Sequence, residues 1–326
     1  MSTVGIIANP VSGKDIRRLV AHGSVFDNQE KVRMVRRLLS GLARTGVRRV
    51  VYMPDHYAIV DRAVSGCETG IETAALPMRM ENSQTDSTRA AQRMETEGAA
   101  CVIVLGGDGT CRAVAKGTRR LPLMPISTGT NNVFPRMLEA TIAGMAAGLI
   151  AQTRVPAERC TFRSCCLEVL VDDDVADLAL VDVAVYQDHF IASRAIWDLQ
   201  KVSQLFLSRC RPDNIGLSAI GGLIRTIEPE QAAGLHLRLG SGDRSITAPI
   251  GPGLFRTVRV SSEEMMTVGG PFALPSTACV LALDGEREIE LADGHRTSVR
   301  LSKDGPIVVD VEKTMKWAQQ SRAFVT

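Results

Sequence analysis

Short apolar runs alternate with amphipathic stretches across the first half of the chain. Val4–Ala8, Arg49–Met53, Ala100–Leu105 and Leu123–Ile126 read as strands. Asp27, with Glu30 three residues on, resembles a capping box and opens a helix through Leu42. Val32, Val35, Leu38, Leu39 and Leu42 share one face of that helix, and Gly46 is its stop. Ser83 with Asp86 opens a second helix that ends before Gly98, and a short third one runs to about Lys116. Thr141 to Gln152, rich in Ala and Gly, reads as an internal helix. Strand and helix in alternation predict a mostly parallel sheet covered by helices.

Beyond about residue 155 the pattern changes. Cys165–Val171 and Leu178–Tyr186 flank an acidic turn at Asp172-Asp173-Asp174. Leu235–Leu239, Thr257–Val260, Cys279–Leu283, Ser298–Leu301 and Ile307–Val311 then follow between Gly, Pro, Ser and Asp. Many short strands joined by turn residues predict an antiparallel β domain. A helix-like insert near Ser193–Ser208 interrupts it, and Glu312–Arg322 reads as a tail helix that folds back. The fold class is α/β, with a parallel-sheet domain over residues 1–152. A β-rich domain covers 153–311 and a C-terminal helix 312–326.

Composition changes this picture little. The chain has 326 residues, of which 45 % are hydrophobic and 23 % charged, which suits two globular domains. Lys plus Arg is 38 and Asp plus Glu is 36, and the basic residues fall in scattered pairs such as Arg17-Arg18 and Arg119-Arg120. That spread disfavours nucleic acid or a membrane as partner. Met1–Ile7 enters a strand without a charged leader, and no apolar run approaches the ~18–20 residues a bilayer needs. The eight cysteines form no CxxC pair, as in a reduced, cytoplasmic protein. None of the five histidines has another at helical metal-binding spacing, which disfavours zinc; His56 and His189 read as surface residues, with the cleft as their alternative place. Trp197 and Phe206 read as packing groups.

Candidate chemistry concentrates at one turn. Val102–Leu105 is an apolar strand that runs into Gly106-Gly107-Asp108-Gly109-Thr110 and at once into a helix. Glycines allow close backbone approach, and a helix start favours an anion. A carboxylate there would repel phosphate unless it carries Mg²⁺ or takes a proton from an attacking hydroxyl; alternatively it only caps the helix. Asn9-Pro10-Val11-Ser12-Gly13-Lys14 and Ser127-Thr128-Gly129-Thr130-Asn131-Asn132 end two further strands with small polar residues. In a parallel sheet all three turns meet at the carboxyl edge, where ligands bind.

The turn Gly106–Thr110 matches the GGDGT motif of NAD kinases, diacylglycerol kinases and sphingosine kinases. Together with Gly5–Gly13, Ser127–Asn132 and Ala282-Leu283-Asp284-Gly285-Glu286, it makes the chain most similar to the acetoin-catabolism protein X branch of the ATP-NAD kinase family. The resemblance implies an active site between an α/β domain and a β-sandwich-like domain. It implies Asp108 as catalytic residue and ATP as donor, with Mg²⁺ carried by the substrate phosphates. Asn9, Ser12, Gly13, Lys14, Gly106, Gly107, Gly109 and Thr110 would hold the donor. Ser127, Thr128, Gly129, Thr130, Asn131, Asn132, Asp182, Ser218 and Asp284 would line the nucleotide or acceptor side. Small-molecule nucleotides and further copies of the chain are the implied partners. The activity implied is phosphorylation of a hydroxyl of NAD or a related metabolite. Three departures keep two other readings open, a nucleotide-binding accessory protein and a lipid kinase. Val181-Asp182 stands where NAD kinases carry Asn-Glu, the tyrosine that family has near Ser218 is missing, and Gly129–Asn132 is closer to diacylglycerol kinases.

Overall fold

The computed structural model describes residues 2–13, 22–23, 26–187 and 199–325. Chain order opens with β1 (Thr3–Ala8), α1 (Asn28–Thr45), β2 (Arg49–Tyr52), α2 (Ile59–Val64), β3 (Glu72–Ala75) and α3 (Gln84–Thr96). There follow β4 (Ala99–Gly106), α4 (Asp108–Gly117), β5 (Leu123–Ser127), α5 (Ala140–Ala151), α6 (Ala157–Cys160) and β6 (Thr161–Arg163). β1 to β5 form a parallel sheet in the order β3-β2-β1-β4-β5. Its strands are apolar on both faces because helices cover both. The caps read from the sequence are formed: the Asp27 carboxylate accepts from the Glu30 amide, and Asp86 accepts from the amides of Glu81 and Ser83.

The rest comprises β7 (Cys166–Val171), β8 (Asp174–Ala179), β9 (Asp182–Tyr186), β10 (Val202–Leu207), α7 (Leu217–Gly222), β11 (Ala233–Gly251) and β12 (Leu254–Thr267). Then come β13 (Pro271–Ala273), β14 (Cys279–Leu283), β15 (Glu286–Leu291), β16 (Thr297–Ser302), β17 (Ile307–Val309) and α8 (Val311–Gln320). Two antiparallel sheets result, ordered β12-β11-β10-β9-β14-β15 and β13-β16-β7-β8. Their facing apolar sides share a core of residues such as Leu167, Val183, Phe206 and Leu281.

Three expectations need correction. Residues 193–198 and Trp197 of the expected helical insert lie outside the described residues, as does His189. The remainder of that insert is a short 3-10 turn, Leu199–Lys201, followed by the central strand β10. Val202, Gln204, Leu205, Phe206 and Leu207 are buried on both faces, and an apolar run of that kind has no period to tell strand from helix. Leu178–Tyr186 is two strands, because the chain crosses between the sheets at Leu180-Val181, whose amides bond to Asp284 instead of a ladder. Finally, Ile307–Val309 belongs to the first sheet. β17 lies between β5 and β6, parallel to the former and antiparallel to the latter, and α8 folds back near α5.

Candidate active site

β1, β4 and β5 are adjacent and parallel, so the three glycine-bearing turns emerge side by side. Asn9 N–H donates to Leu105 O (3.0 Å) and Thr128 N–H to Gly106 O (3.1 Å), which extends the ladder into the loops. The Asn9 side chain donates to Thr110 Oγ1 (2.8 Å) and accepts from Val11 N–H (2.9 Å). Ser12 Oγ donates to Asn9 O, so in its 2.8 Å contact with Thr128 the Thr128 hydroxyl is the donor. Gly13 has φ +75°, and a Cβ there would lie 2.4 Å from Thr128 O. A Cβ on Gly107 would lie 2.7 Å from Asn132 Oδ1. Backbone excludes a side chain at Gly13, and one at Gly107 would displace the Asn132 amide.

A buried cation fixes the first loop from below. Lys31 Nζ, on the core face of α1, donates to Asn9 O (2.8 Å), Ser12 O (2.7 Å) and Asn28 Oδ1 (3.1 Å). Lys31 was not among the residues singled out from the sequence. The available signal was a lysine on the same face as Val35, Leu38 and Leu42, where a charge is buried only with partners.

Asp108 is the first residue of α4. Its carboxylate accepts from Val133 N–H (3.1 Å to each oxygen) and Phe134 N–H (2.7 Å), so the loop after β5 holds it in one orientation. A cavity of about 610 Å³ opens in front of it. Asn9, Ser12, Gly13, Gly107, Gly109, Thr110, Gly129, Thr130, Asn131, Asn132 and Asp284 line this cavity with Asp108, beside Met53, Asp55, His56, Tyr57 and Met80. A smaller compartment of about 40 Å³ adjoins it, lined by Asp182, Gly216, Leu217 and Ile250. Asp108, Asn131 and Asp284 border both.

Some predicted residues lie elsewhere. Gly106, Ser127 and Thr128 sit beneath the loops; Ser127 Oγ ties Gly129 O (2.7 Å) to the Asn132 side chain (2.8 Å). Ser218 is buried away from both spaces, with Asn214 Oδ1 (2.9 Å) as its partner. Lys14 lies outside the described residues. His56, read as a surface residue, is exposed but borders the cavity mouth.

The opposite wall comes from the β domain. Asp284 and Gly285 take φ values of 52° and 78°, a tight β14–β15 turn. The Asp284 carboxylate points inward and accepts from the amides of Leu180 (3.0 Å), Val181 (2.8 Å) and Asp182 (3.3 Å). Burial pushes its pKa up, while Arg112 and those amides pull it back. Arg112 Nε stands 3.8 Å from Asp284, and Nη1 stands 3.5 Å from Asp177. Arg209 is buried over the Phe134 ring at 4.7 Å, bonded to Leu180 O and Ser164. Burial lowers its pKa to about 10, while Asp108 and Asp284 hold it up, so it stays a cation. Glu286 accepts from Gln84 Nε2 (3.1 Å) beside Gly109. Arg112, Arg209 and Glu286 were not singled out as site residues, although Arg112 shows as a charge inside the apolar run Cys111–Ala115.

Five carboxylates, those of Asp55, Asp86, Asp108, Asp284 and Glu286, line the large cavity, with no Lys or Arg among the described lining residues. Such a surface carries negative potential toward any ligand that enters the cavity. No cluster of three His, Cys, Asp or Glu side chains suited to a metal occurs among the described residues.

Residues 4–154 match the family model for the ATP-NAD kinase N-terminal domain, and residues 165–304 that for the acetoin catabolism protein X C-terminal domain. Acetoin catabolism protein X of Cupriavidus necator is 36 % identical over 329 aligned positions, covering 97 % of this chain and 92 % of that protein. Among solved structures, a protein described as a diacylglycerol kinase from Bacillus anthracis str. Sterne aligns over 94 % of this chain and 97 % of its own, at 14 % identity and a TM-score of 0.42. UDP-GlcNAc 2-epimerase from Neisseria meningitidis aligns over 38 % of this chain and 31 % of its own, at 16 % identity and a TM-score of 0.26.

Proposed function

The chain belongs to the acetoin catabolism protein X branch of the ATP-NAD kinase family, and from that premise we propose that it is a phosphotransferase acting on a hydroxyl of a small metabolite. One observation carries the reading: Asp108 borders both the large cavity and the small compartment, at the start of a helix flanked by glycine loops. The large cavity holds the donor, ATP, with its phosphates against Asn9–Gly13, the α4 amides and Gly129–Asn132. Mg²⁺ on the phosphates would neutralise charge among the carboxylates. The acceptor hydroxyl lies against Asp108, which takes its proton as the oxygen bonds to the terminal phosphorus and the bond to ADP breaks. The hydrogen bonds from Val133 and Phe134 hold the carboxylate in place for that transfer.

NAD, or a small hydroxylated metabolite of acetoin breakdown, is the acceptor we infer. The eight cysteines are all free, which suits a reducing, cytoplasmic setting. No described helix is long and apolar enough to cross a membrane.

The test is ³¹P NMR of the protein with Mg-ATP and an acceptor panel of NAD, acetoin and diacylglycerol vesicles. A new phosphoester resonance with one acceptor is expected, lost in Asp108→Asn. Full turnover by Asp108→Asn would remove the assignment. A second reading has its own support, since the Asp108 carboxylate is already engaged by two amides: a nucleotide-binding accessory protein. It predicts calorimetric binding of NAD or NADP with no product from any acceptor.

A further inference from the structure

Two kinds of residue line the small compartment beside Asp108. Its polar lining comes from Asp108, Asp182, Asp284 and Asn131, and its apolar lining includes Leu199, Ile215, Leu217 and Ile250. Gly216 N–H donates to Pro249 O (3.0 Å), which ties the end of β11, and so Ile250, to the start of α7. Asn131 Oδ1 is buried and faces Gly216, where a Cβ would lie 3.8 Å from it. Among the described residues nothing donates a hydrogen bond to that oxygen. A buried acceptor of this kind is a stability cost until a donor reaches it. The volume of about 40 Å³ takes about three or four non-hydrogen atoms, since one water needs about 10–15 Å³.

We propose that this compartment binds a short, uncharged alcohol with two neighbouring hydroxyls, and that Asn131 selects it. As the acceptor, such an alcohol presupposes the phosphotransferase reading; as a ligand, it depends on the compartment alone. With ATP in the large cavity, the acceptor is left the space beyond Asp108. A base linked to a sugar exceeds that space, so the small metabolite is favoured over NAD. The described lining carries no Lys or Arg, and a hydroxy acid would bring its carboxylate against Asp108, Asp182 and Asp284. Nor is a cationic ligand required. Arg112 Nε stands 3.8 Å from Asp284, and the buried Arg209 feels the charge of Asp108 and Asp284. One hydroxyl of the ligand faces Asp108 and the other donates to Asn131 Oδ1, while the carbon chain rests on Leu217 and Ile250. The first oxygen bonds to the terminal phosphorus of ATP as its proton passes to Asp108 and the bond to ADP breaks. The product is a phosphomonoester with its second hydroxyl free.

Two measurements on the full-length chain test ligand and reaction separately. Saturation-transfer NMR of propylene glycol, with Mg²⁺ and a non-hydrolysable ATP analogue present, reads binding. ADP release from Mg-ATP reads transfer. Propylene glycol should bind and be phosphorylated, with kcat/KM at least ~100-fold above isopropanol, which lacks the second hydroxyl. Asn131→Leu should shrink that ratio at least ~10-fold. Ile250→Ala should move the preference toward pentylene glycol, a check on the apolar lining from a different element. Lactate, ethanolamine and NAD should not be phosphorylated. Propylene glycol that binds without ever being phosphorylated would support the compartment and overturn the phosphotransferase reading. Phosphorylation of NAD, lactate or ethanolamine with propylene glycol inert would leave that reading standing and overturn the proposal. An unchanged ratio in Asn131→Leu, or no saturation of propylene glycol, would overturn it as well.

Discussion

Two aspartate–glycine pairs end two buried strands on opposite walls of the cleft. Asp108-Gly109 follows β4 and Asp284-Gly285 follows β14, and backbone amides hold both carboxylates. The amides of Val133 and Phe134 hold Asp108 at the start of α4, where it borders both compartments, as Asp284 does. Asp284 is fully buried at its side chain, takes three amides and has Arg112 beside it. A carboxylate fixed at a helix start beside a glycine loop is placed for chemistry. One whose lone pairs are spent on the protein is suited to joining two sheets at the point where the chain crosses between them.

Measuring activity and stability on both aspartates tests the contrast. Asp108→Asn should lower phosphotransfer by about a hundred- to ten-thousand-fold, at a stability cost of roughly 1–2 kcal/mol in urea melts. Asp284→Ala strands Arg112 and three amides. It should cost about 3–5 kcal/mol, read as a large fall in the melting midpoint by calorimetry. Equal stability losses at the two positions would erase the distinction.

Lys31→Met sharpens it on the Asp108 side alone. It removes donors from Asn9 O and Ser12 O, so a loss of about 1–3 kcal/mol is expected. Mg-ATP affinity by titration calorimetry should fall with it, while the Asp284 network stays intact. The smallest effect locates acid sensitivity away from both aspartates. His236 stacks on Phe206, bonds Gln204 and lies in the β domain, and burial lowers its pKa to about 4. The unfolded chain then takes the proton first. Stability present above about pH 6.5 is lost as pH falls toward about 4, and His236→Gln should flatten that slope in thermal melts.

The sequence carried the frame of the first domain well. The Asp27 and Ser83 caps, the Gly46 stop and the apolar strands are local signals, and local signals survive into the fold. It also brought Asn9, Asp108 and Asn132 together, because parallel strands put their ends on one edge. Asp284 was visible as a tight turn, but not its inward carboxylate, since that depends on amides about a hundred residues earlier. Arg112, Arg209 and Lys31 escaped for a related reason. Each is a lone cation whose burial depends on partners far along the chain, and no short window contains them. Ser218 shows the converse: a motif position matched by resemblance, with its hydroxyl spent on Asn214.

β17 completes the first sheet with residues that come after the whole β domain. As the chain leaves the ribosome, β5 therefore waits with an open flank while some 180 residues are made, and β6 has no neighbour until Ile307–Val309 arrives. Translation halted before that point leaves an exposed parallel edge next to the glycine loops, the sort of intermediate that chaperones engage. The two halves of this protein are thus sewn together by synthesis order, and neither can be finished without the other.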